Sequence, residues 1–289
     1  MSRRALLIIN AKSRSGEAQA QAAIDTLKSH GIDAIHVECR RREDLSPLIV
    51  KHRDGMECAI VGGGDGTLNA AAFGVIEAGL PLGILPLGTA NDLARTLGIP
   101  FDLDGAAQVI AAGRRRKIDL GLVNGQPFFN VASIGLSAEL AQKLTRDIKR
   151  RFGRLGYALV AMKVLAQARP FSATITSETE SVRVKTLQIA VGNGRFYGGG
   201  NAVEKDASID DQHLDLYSLE FERAWKLALM ARSFRYGKHG AWSEVRAIRA
   251  QEFDIRTRRP RPINADGEIV TQTPARFSIK PGAVTVFAP

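Results

Sequence analysis

The feature that most constrains this chain is a short apolar run, Cys58-Ala59-Ile60-Val61, that leads directly into Gly62-Gly63-Gly64-Asp65-Gly66-Thr67. A short apolar run that ends in turn residues reads as a buried strand. Helical spacing resumes at about Leu68 and lasts to about Ala78. A strand, a glycine turn and a helix in that order place bare peptide N–H groups at a helix start, which attracts anions. Glycine leaves no side chain in the way of a ligand. A tight turn accounts for one or two glycines but not for the whole run. Asp65 then sets a carboxylate beside whatever anion the amides hold. Neighbouring anions need a cation between them, which points to Mg²⁺. Thr67 adds a hydroxyl for a phosphate oxygen. The run is neither a Walker A loop nor a Rossmann fingerprint with its downstream acid.

The flanking segments fit this reading. Ala5–Asn10, Ala34–Val37, Cys58–Val61 and Pro81–Leu85 read as strands. They alternate with helical spacing at Gly16–His30, Asp44–His52, Leu68–Ala78 and Asp92–Leu97. Such alternation predicts an α/β domain on a parallel sheet with crossover helices. Beyond about Lys117 the pattern turns β-rich, with strands expected at Asp119–Val123, Phe128–Ser133, Phe171–Ser177, Val182–Val191, Leu214–Glu220, Glu252–Arg256 and Ala283–Phe287. Helical spacing interrupts it at Ser137–Lys143, Leu155–Gln167 and Ala224–Ser233. The expected boundary lies near residue 125, in Asn124-Gly125-Gln126-Pro127. Residues 1–125 then form a nucleotide-binding domain and 126–289 a β-rich domain, whose C-terminal segment could return to the first.

A second turn repeats the theme: Leu85-Pro86-Leu87-Gly88-Thr89-Ala90-Asn91-Asp92-Leu93-Ala94-Arg95. Thr89 can bond a phosphate or cap the helix, and Asn91 alone reads as an ordinary N-cap. In a parallel sheet both turns fall at the carboxyl edge, where ligands bind.

Together the two turns resemble the diacylglycerol-kinase catalytic superfamily, and among its members the soluble bacterial lipid kinases. The resemblance runs the length of the chain. It extends to Asn10-Ala11-Lys12-Ser13 after the first strand, to Gly192-Asn193-Gly194 through Tyr197-Gly198-Gly199-Gly200, to the Ser208–Asp215 turn, and to Asp266-Gly267-Glu268. It implies a phosphofructokinase- or NAD-kinase-like N-terminal α/β domain and a C-terminal β-sandwich. It also implies ATP and Mg²⁺ as cofactors, and transfer of the γ-phosphoryl group to a lipid hydroxyl such as that of diacylglycerol or phosphatidylglycerol. Nucleotide contacts are expected at Asn10, Ala11, Lys12, Ser13, Arg14, Arg40, Gly63, Gly64, Asp65, Gly66, Thr67, Leu68, Asn69, Ala70, Thr89 and Asp92. The catalytic set is Glu268 as general base with Asp65 and Asp266. Without the resemblance, Glu268 reads as an ordinary acid in a hairpin turn over Asn264–Glu268. A second, structural site for Mg²⁺, Ca²⁺ or another divalent ion falls on Ser208, Asp211 and His213. The chain departs from the family pattern twice, with Gln212 where a glycine is usual and Ala70 where a glutamate is usual.

Charge bears on the partner. The chain has 40 Lys+Arg against 30 Asp+Glu, a formal net charge of +10, and so favours anionic partners. Basic clusters fall at Arg40–Arg42, Arg114–Lys117, Arg146–Arg154 and Arg256–Arg261. A single aromatic, Phe152, falls within these clusters, short of the repeated interleaving of single-strand nucleic-acid binders, so nucleic acid is not the expected partner. A lipid substrate at an anionic membrane surface is. Two cysteines, Cys39 and Cys58, make no disulfide framework, which fits a reducing compartment. The expected location is the cytoplasm, peripherally associated with the inner membrane. Whether the chain forms a homodimer stays open. Two other functions share part of the pattern: a kinase of a soluble metabolite, as in NAD kinases, and a non-catalytic nucleotide- or lipid-binding regulator.

Overall fold

The computed structural model describes residues 3–10, 14–143, 164, 167–194, 196–197, 201–202, 208–221 and 244–289. The chain divides into two compact units, one of Met1–Leu120 with Pro281–Pro289 and one of Gly121–Lys280.

The first unit contains β1 (Arg3–Asn10), α1 (Arg14–Ser29), β2 (Ile32–Cys39), α2 (Leu45–Lys51), β3 (Cys58–Gly63), α3 (Asp65–Ala78), β4 (Leu82–Pro86), α4 (Asp92–Leu97) and α5 (Leu103–Ala112). The four strands are parallel in the order β2-β1-β3-β4. Ala5 to Ile9 are all buried, as are Cys58 to Val61. Unbroken apolar strands of this kind belong to a sheet covered on both faces, so the runs lack polar alternation. The helix α5 was not anticipated, although its signals are present. Asp102 Oδ1 accepts from the Gly105 N–H at 2.7 Å, and Gly113 ends the helix at φ 73°.

β5 (Arg115–Val123) leaves this unit and β18 (Ala275–Phe287) returns to it. The second unit adds β6 (Gln126–Phe128), β7 (Val131–Gly135), α6 (Leu136–Lys143), β8 (Phe171–Thr176), β9 (Ser181–Thr186), β10 (Gln188–Gly192), β11 (Phe196–Tyr197), β12 (Asn201–Ala202), β13 (Leu214–Leu219), β14 (Val245–Ala250), β15 (Glu252–Thr257), β16 (Pro262–Ala265) and β17 (Glu268–Gln272). One antiparallel sheet runs β14-β13-β10-β7-β16-β17, and the other contains β18-β15-β8-β9. Side chains of both sheets, among them Ile134, Ile189, Leu216, Phe253 and Ile255, share one core. There the Phe128 and Phe277 rings meet edge to face at 6.5 Å. The expected α/β plus β-sandwich architecture is present.

Two expected strands are interrupted. Val182–Val191 splits at Leu187, with β9 in one sheet and β10 in the other. Phe128–Ser133 breaks at Phe129–Asn130, whose amides turn toward a carboxylate rather than a neighbouring strand. The helices expected at Leu155–Gln167 and Ala224–Ser233 lie outside the described residues, apart from Val164 and Gln167, which are helical.

Candidate active site

The register of the first unit gathers the glycine turns at one edge. β1 ends at Asn10, which pairs with Cys39, the last residue of β2. Ile9 pairs with Gly62, and Gly63 with Pro86 at the end of β4. All four strands are parallel, so Asn10, Arg40, Gly64 and the Leu87–Thr89 turn follow the carboxyl ends of adjacent strands. Ligands bind at such an edge in open α/β sheets. Arg40 is exposed there, paired with Glu38 at 3.2 Å. Ala11, Lys12 and Ser13 lie outside the described residues, and Arg14 opens α1.

Packing shapes the Gly62–Thr67 turn. A Cβ on Gly62 would lie 2.8 Å from Ile9 Cγ1, and one on Gly63 would lie 2.7 Å from Thr67 Cβ. Gly64 and Gly88 oppose each other backbone to backbone, and a Cβ on Gly64 would meet Gly88 Cα at 3.2 Å. The glycines that sequence reasoning attributed to a ligand therefore also let the two turns touch. Thr67 is 4% exposed and packs over Gly63, while Leu68 is 1% exposed. Both side chains serve the turn and the core. At the N-terminus of α3 the Asp65 and Gly66 amides precede any intrahelical acceptor. Thr67 N–H and Leu68 N–H both bond Gly64 O.

Asp65 ties the two turns together. Its Oδ1 accepts the Leu93 N–H at 2.9 Å, the second helical residue of α4. A carboxylate at that position caps the helix and meets its positive end. Asn91 holds the N-cap position but makes no cap bond. It takes φ 50° instead, accepts from Gly88 N–H at 2.9 Å, and donates Nδ2 to Pro86 O and Gly88 O. Asn91 therefore builds the Gly88 turn and Asp65 caps the helix, whereas the local pattern reads Asn91 as the cap. The available signal was an Asn three residues after Gly88, since Asn is among the few non-glycine residues that enter the left-handed region readily. Asp92 is 5% exposed, next to the residue that Asp65 binds. Carboxylates are hard oxygen ligands of the type that suits Mg²⁺, and Asp65 and Asp92 are the two buried at this junction. At the opposite, amino end of β3, burial pushes the Cys58 thiol up to about 11, which removes it as a nucleophile at neutral pH.

In the second unit, Asp266 and Glu268 lie on the β16–β17 hairpin. Asp266 takes φ 45° and Gly267 φ 95°, and the Gly267 N–H bonds Asn264 Oδ1 at 3.0 Å. The Asp266 carboxylate accepts from three successive amides, Phe129, Asn130 and Val131, at 2.8–3.2 Å. Three amides turned onto one carboxylate form a nest, which interrupts the strand expected over Phe128–Ser133. Asp266 thus anchors the hairpin. Glu268, paired with Ala265, is exposed at the start of β17.

Ser208, Asp211 and His213 also come together. Asp211 Oδ1 accepts the His213 N–H at 3.0 Å, and its Oδ2 accepts the Ser208 N–H at 3.3 Å and Arg249 Nη2 at 2.9 Å. Gln212 takes φ 62°, a conformation that a glycine would adopt without strain. Both carboxylate oxygens thus face donors, and a guanidinium stands beside Asp211. That donor set does not fit a divalent ion. Among the described residues no group of three or more His, Cys, Asp or Glu is placed to hold a metal. Gly198–Gly200 lie outside the described residues.

Comparison with known proteins matches residues 4–123 to the diacylglycerol kinase catalytic domain. Residues 130–288 match the YegS C-terminal NAD kinase beta sandwich-like domain. A Klebsiella pneumoniae (strain 342) protein described as "Probable lipid kinase YegS-like" is 35% identical over 73% of this chain and 72% of its own length. A Pseudomonas savastanoi pv. phaseolicola protein of the same description is 30% identical over 99% of this chain and 94% of its own. Among solved structures, "a putative diacylglycerol kinase from Bacillus anthracis str. Sterne" superposes with a TM-score of 0.80 at 26% identity. That match covers 99% of this chain and 97% of the other. The glycine turns at the sheet edge, the β-sandwich and these likenesses lead to one conclusion: the chain belongs to the YegS-like, diacylglycerol-kinase-like family of lipid kinases.

Proposed function

We propose that the chain transfers the γ-phosphoryl group of ATP to the hydroxyl of a glycerolipid, diacylglycerol or phosphatidylglycerol, at an anionic membrane surface on the cytoplasmic side. The observation that carries this reading is the Asp65–Leu93 bond, which holds two glycine turns side by side at the carboxyl edge of a parallel sheet. The Asp65 and Gly66 amides would receive phosphate oxygens, with Lys12 and Arg40 as neighbouring cations. Asp65 and Asp92 would hold Mg²⁺, which neutralises phosphate charge when bound. Glu268, exposed on a hairpin that Asp266 anchors, would take the acceptor hydroxyl's proton. General bases of this kind typically contribute about 10²–10⁴ in rate.

The test is an acceptor panel with γ-labelled ATP and Mg²⁺, resolved by thin-layer separation. Diacylglycerol, phosphatidylglycerol and a sphingoid base would be run beside NAD and a sugar phosphate. Label in a glycerolipid band is expected. Label only in the soluble acceptors would replace this reading with a metabolite kinase. Nucleotide binding without transfer to any acceptor would replace it with a regulator.

A further inference from the structure

The outer face of the β9–β8–β15 sheet carries a row of cations that nothing in the proposed phosphoryl transfer uses. The register sets Thr174 directly opposite Arg183 on one side and Arg256 on the other. Ser172 stands opposite Lys185 in the adjacent row. Strand alternation sends Phe171, Ala173, Ile175, Phe253 and Ile255 into the core, so Ser172, Thr174, Arg183 and Arg256 share the other face. Together with Arg258 they line a cavity of about 420 Å³, within the range of roughly 300–1,000 Å³ common for small-ligand sites.

The acids of this face bond other groups or, like Asp254 two residues before Arg256, stand in the neighbouring row. Glu252 pairs with Arg276 at 2.6 Å, and Glu178 accepts the Gln251 and Glu252 amides. Asp254 sits opposite Arg276 and Thr176, not in the arginine row. Among the described residues no carboxylate pairs with Arg183, Lys185, Arg256 or Arg258. The Thr257 hydroxyl is bonded to Arg259 O and Thr273, which leaves the Ser172 and Thr174 hydroxyls.

Two guanidinium groups thus flank a hydroxyl across three strands, their backbones two strand spacings, or roughly 9.5 Å, apart. A tetrahedral oxyanion placed between them can accept from both guanidinium forks and from Thr174, the donor pattern that arginine offers to phosphate. We propose that this groove is a binding site for a phosphate group, separate from the nucleotide turns. The group is either part of an anionic lipid headgroup or part of a soluble phosphate ester. The proposal does not depend on kinase activity.

The experiment compares the wild-type chain with Arg183→Ser/Arg256→Ser, with Thr174→Val, and with a charge-matched control, Arg53→Ser/Arg114→Ser. One arm measures co-sedimentation with phosphatidylglycerol–phosphatidylcholine vesicles against pure phosphatidylcholine. The other measures calorimetric binding of inorganic phosphate and glycerol 3-phosphate. The nucleotide turns are identical in all four proteins, so differences report the groove. The groove double variant is expected to bind about 30-fold more weakly in at least one arm, since each arginine near an anionic surface contributes about fivefold. Thr174→Val should weaken the same arm, and the control should change binding much less. Loss in the vesicle arm identifies a headgroup; loss in the soluble arm identifies a phosphate ester. Equal losses in the groove and control variants would overturn the site as a diffuse charge effect, as would no loss in either arm. A melting temperature within a few degrees of wild type verifies that each variant is folded.

Discussion

At the residue scale, Asp65 carries two separable duties. As hydrogen-bond acceptor it caps α4 through Leu93. As a charge it is the carboxylate proposed for Mg²⁺. Asp65→Asn retains an acceptor and removes the charge. It should therefore leave the melting temperature near wild type and reduce labelled-phosphate transfer by more than a hundredfold. Asp65→Ala removes both, and should in addition cost about 1–3 kcal/mol in denaturant unfolding, the usual penalty for a buried donor left without its acceptor. Equal stability of the two variants would contradict the capping role. Glu268 is exposed, so Glu268→Gln should leave stability unchanged and lower kcat by about 10²–10⁴ with little change in KM for ATP. Full turnover by this variant would remove Glu268 as the base. The acid in the Gly62–Thr67 run was legible because its neighbours are glycines. Its partner was not, because Leu93 offers only a backbone amide, and amides have no sequence signature.

At the element scale, the two glycine turns and the Asp266 nest show how loops decide what strands and helices only frame. Gly64 and Gly88 approach closely enough that a methyl group at residue 88 would meet backbone, which cannot move aside as a flexible side chain can. Gly88→Ala should therefore destabilise the protein by about 1–3 kcal/mol and raise KM for ATP. The measurement is a urea melt paired with steady-state kinetics. Asp266→Ala leaves three amides without their acceptor and should cost roughly 2–4 kcal/mol. Hydrogen exchange should then show lost protection at Phe129, Asn130 and Val131, and unchanged protection would sink the nest as an anchor. The strand–helix alternation of residues 5–97 was readable, since buried parallel strands are unbroken apolar runs. The Phe128–Ser133 break was not readable, because a carboxylate more than 130 residues away causes it.

At the scale of the whole molecule, the chain closes its first unit with its last residues. Val286 pairs in parallel with Leu82 of β4. The Gly282 N–H bonds the buried Asp119 carboxylate at 2.6 Å, and the Ala288 N–H bonds Arg114 O. The Phe287 ring lies fully buried beneath the Arg3 and Arg115 guanidinium groups. A fragment of residues 1–120 should consequently melt non-cooperatively in circular dichroism. The same fragment joined through a short linker to residues 281–289 should regain a cooperative transition, and cooperative folding of residues 1–120 alone would refute this dependence. The sequence by itself determined the α/β-then-β-rich order, the two glycine turns and the acids beside them. Those features are written in local periodicity and in residue types whose chemistry does not depend on neighbours. Tertiary structure alone decided that Asp65 reaches Leu93, that Asp266 gathers the Phe129–Val131 amides, that Arg249 stands beside Asp211, and that the returning C-terminal segment sets Val286 beside Leu82. Each of these joins backbone or charge across long sequence separations, and such pairings are selected by packing rather than by any local pattern.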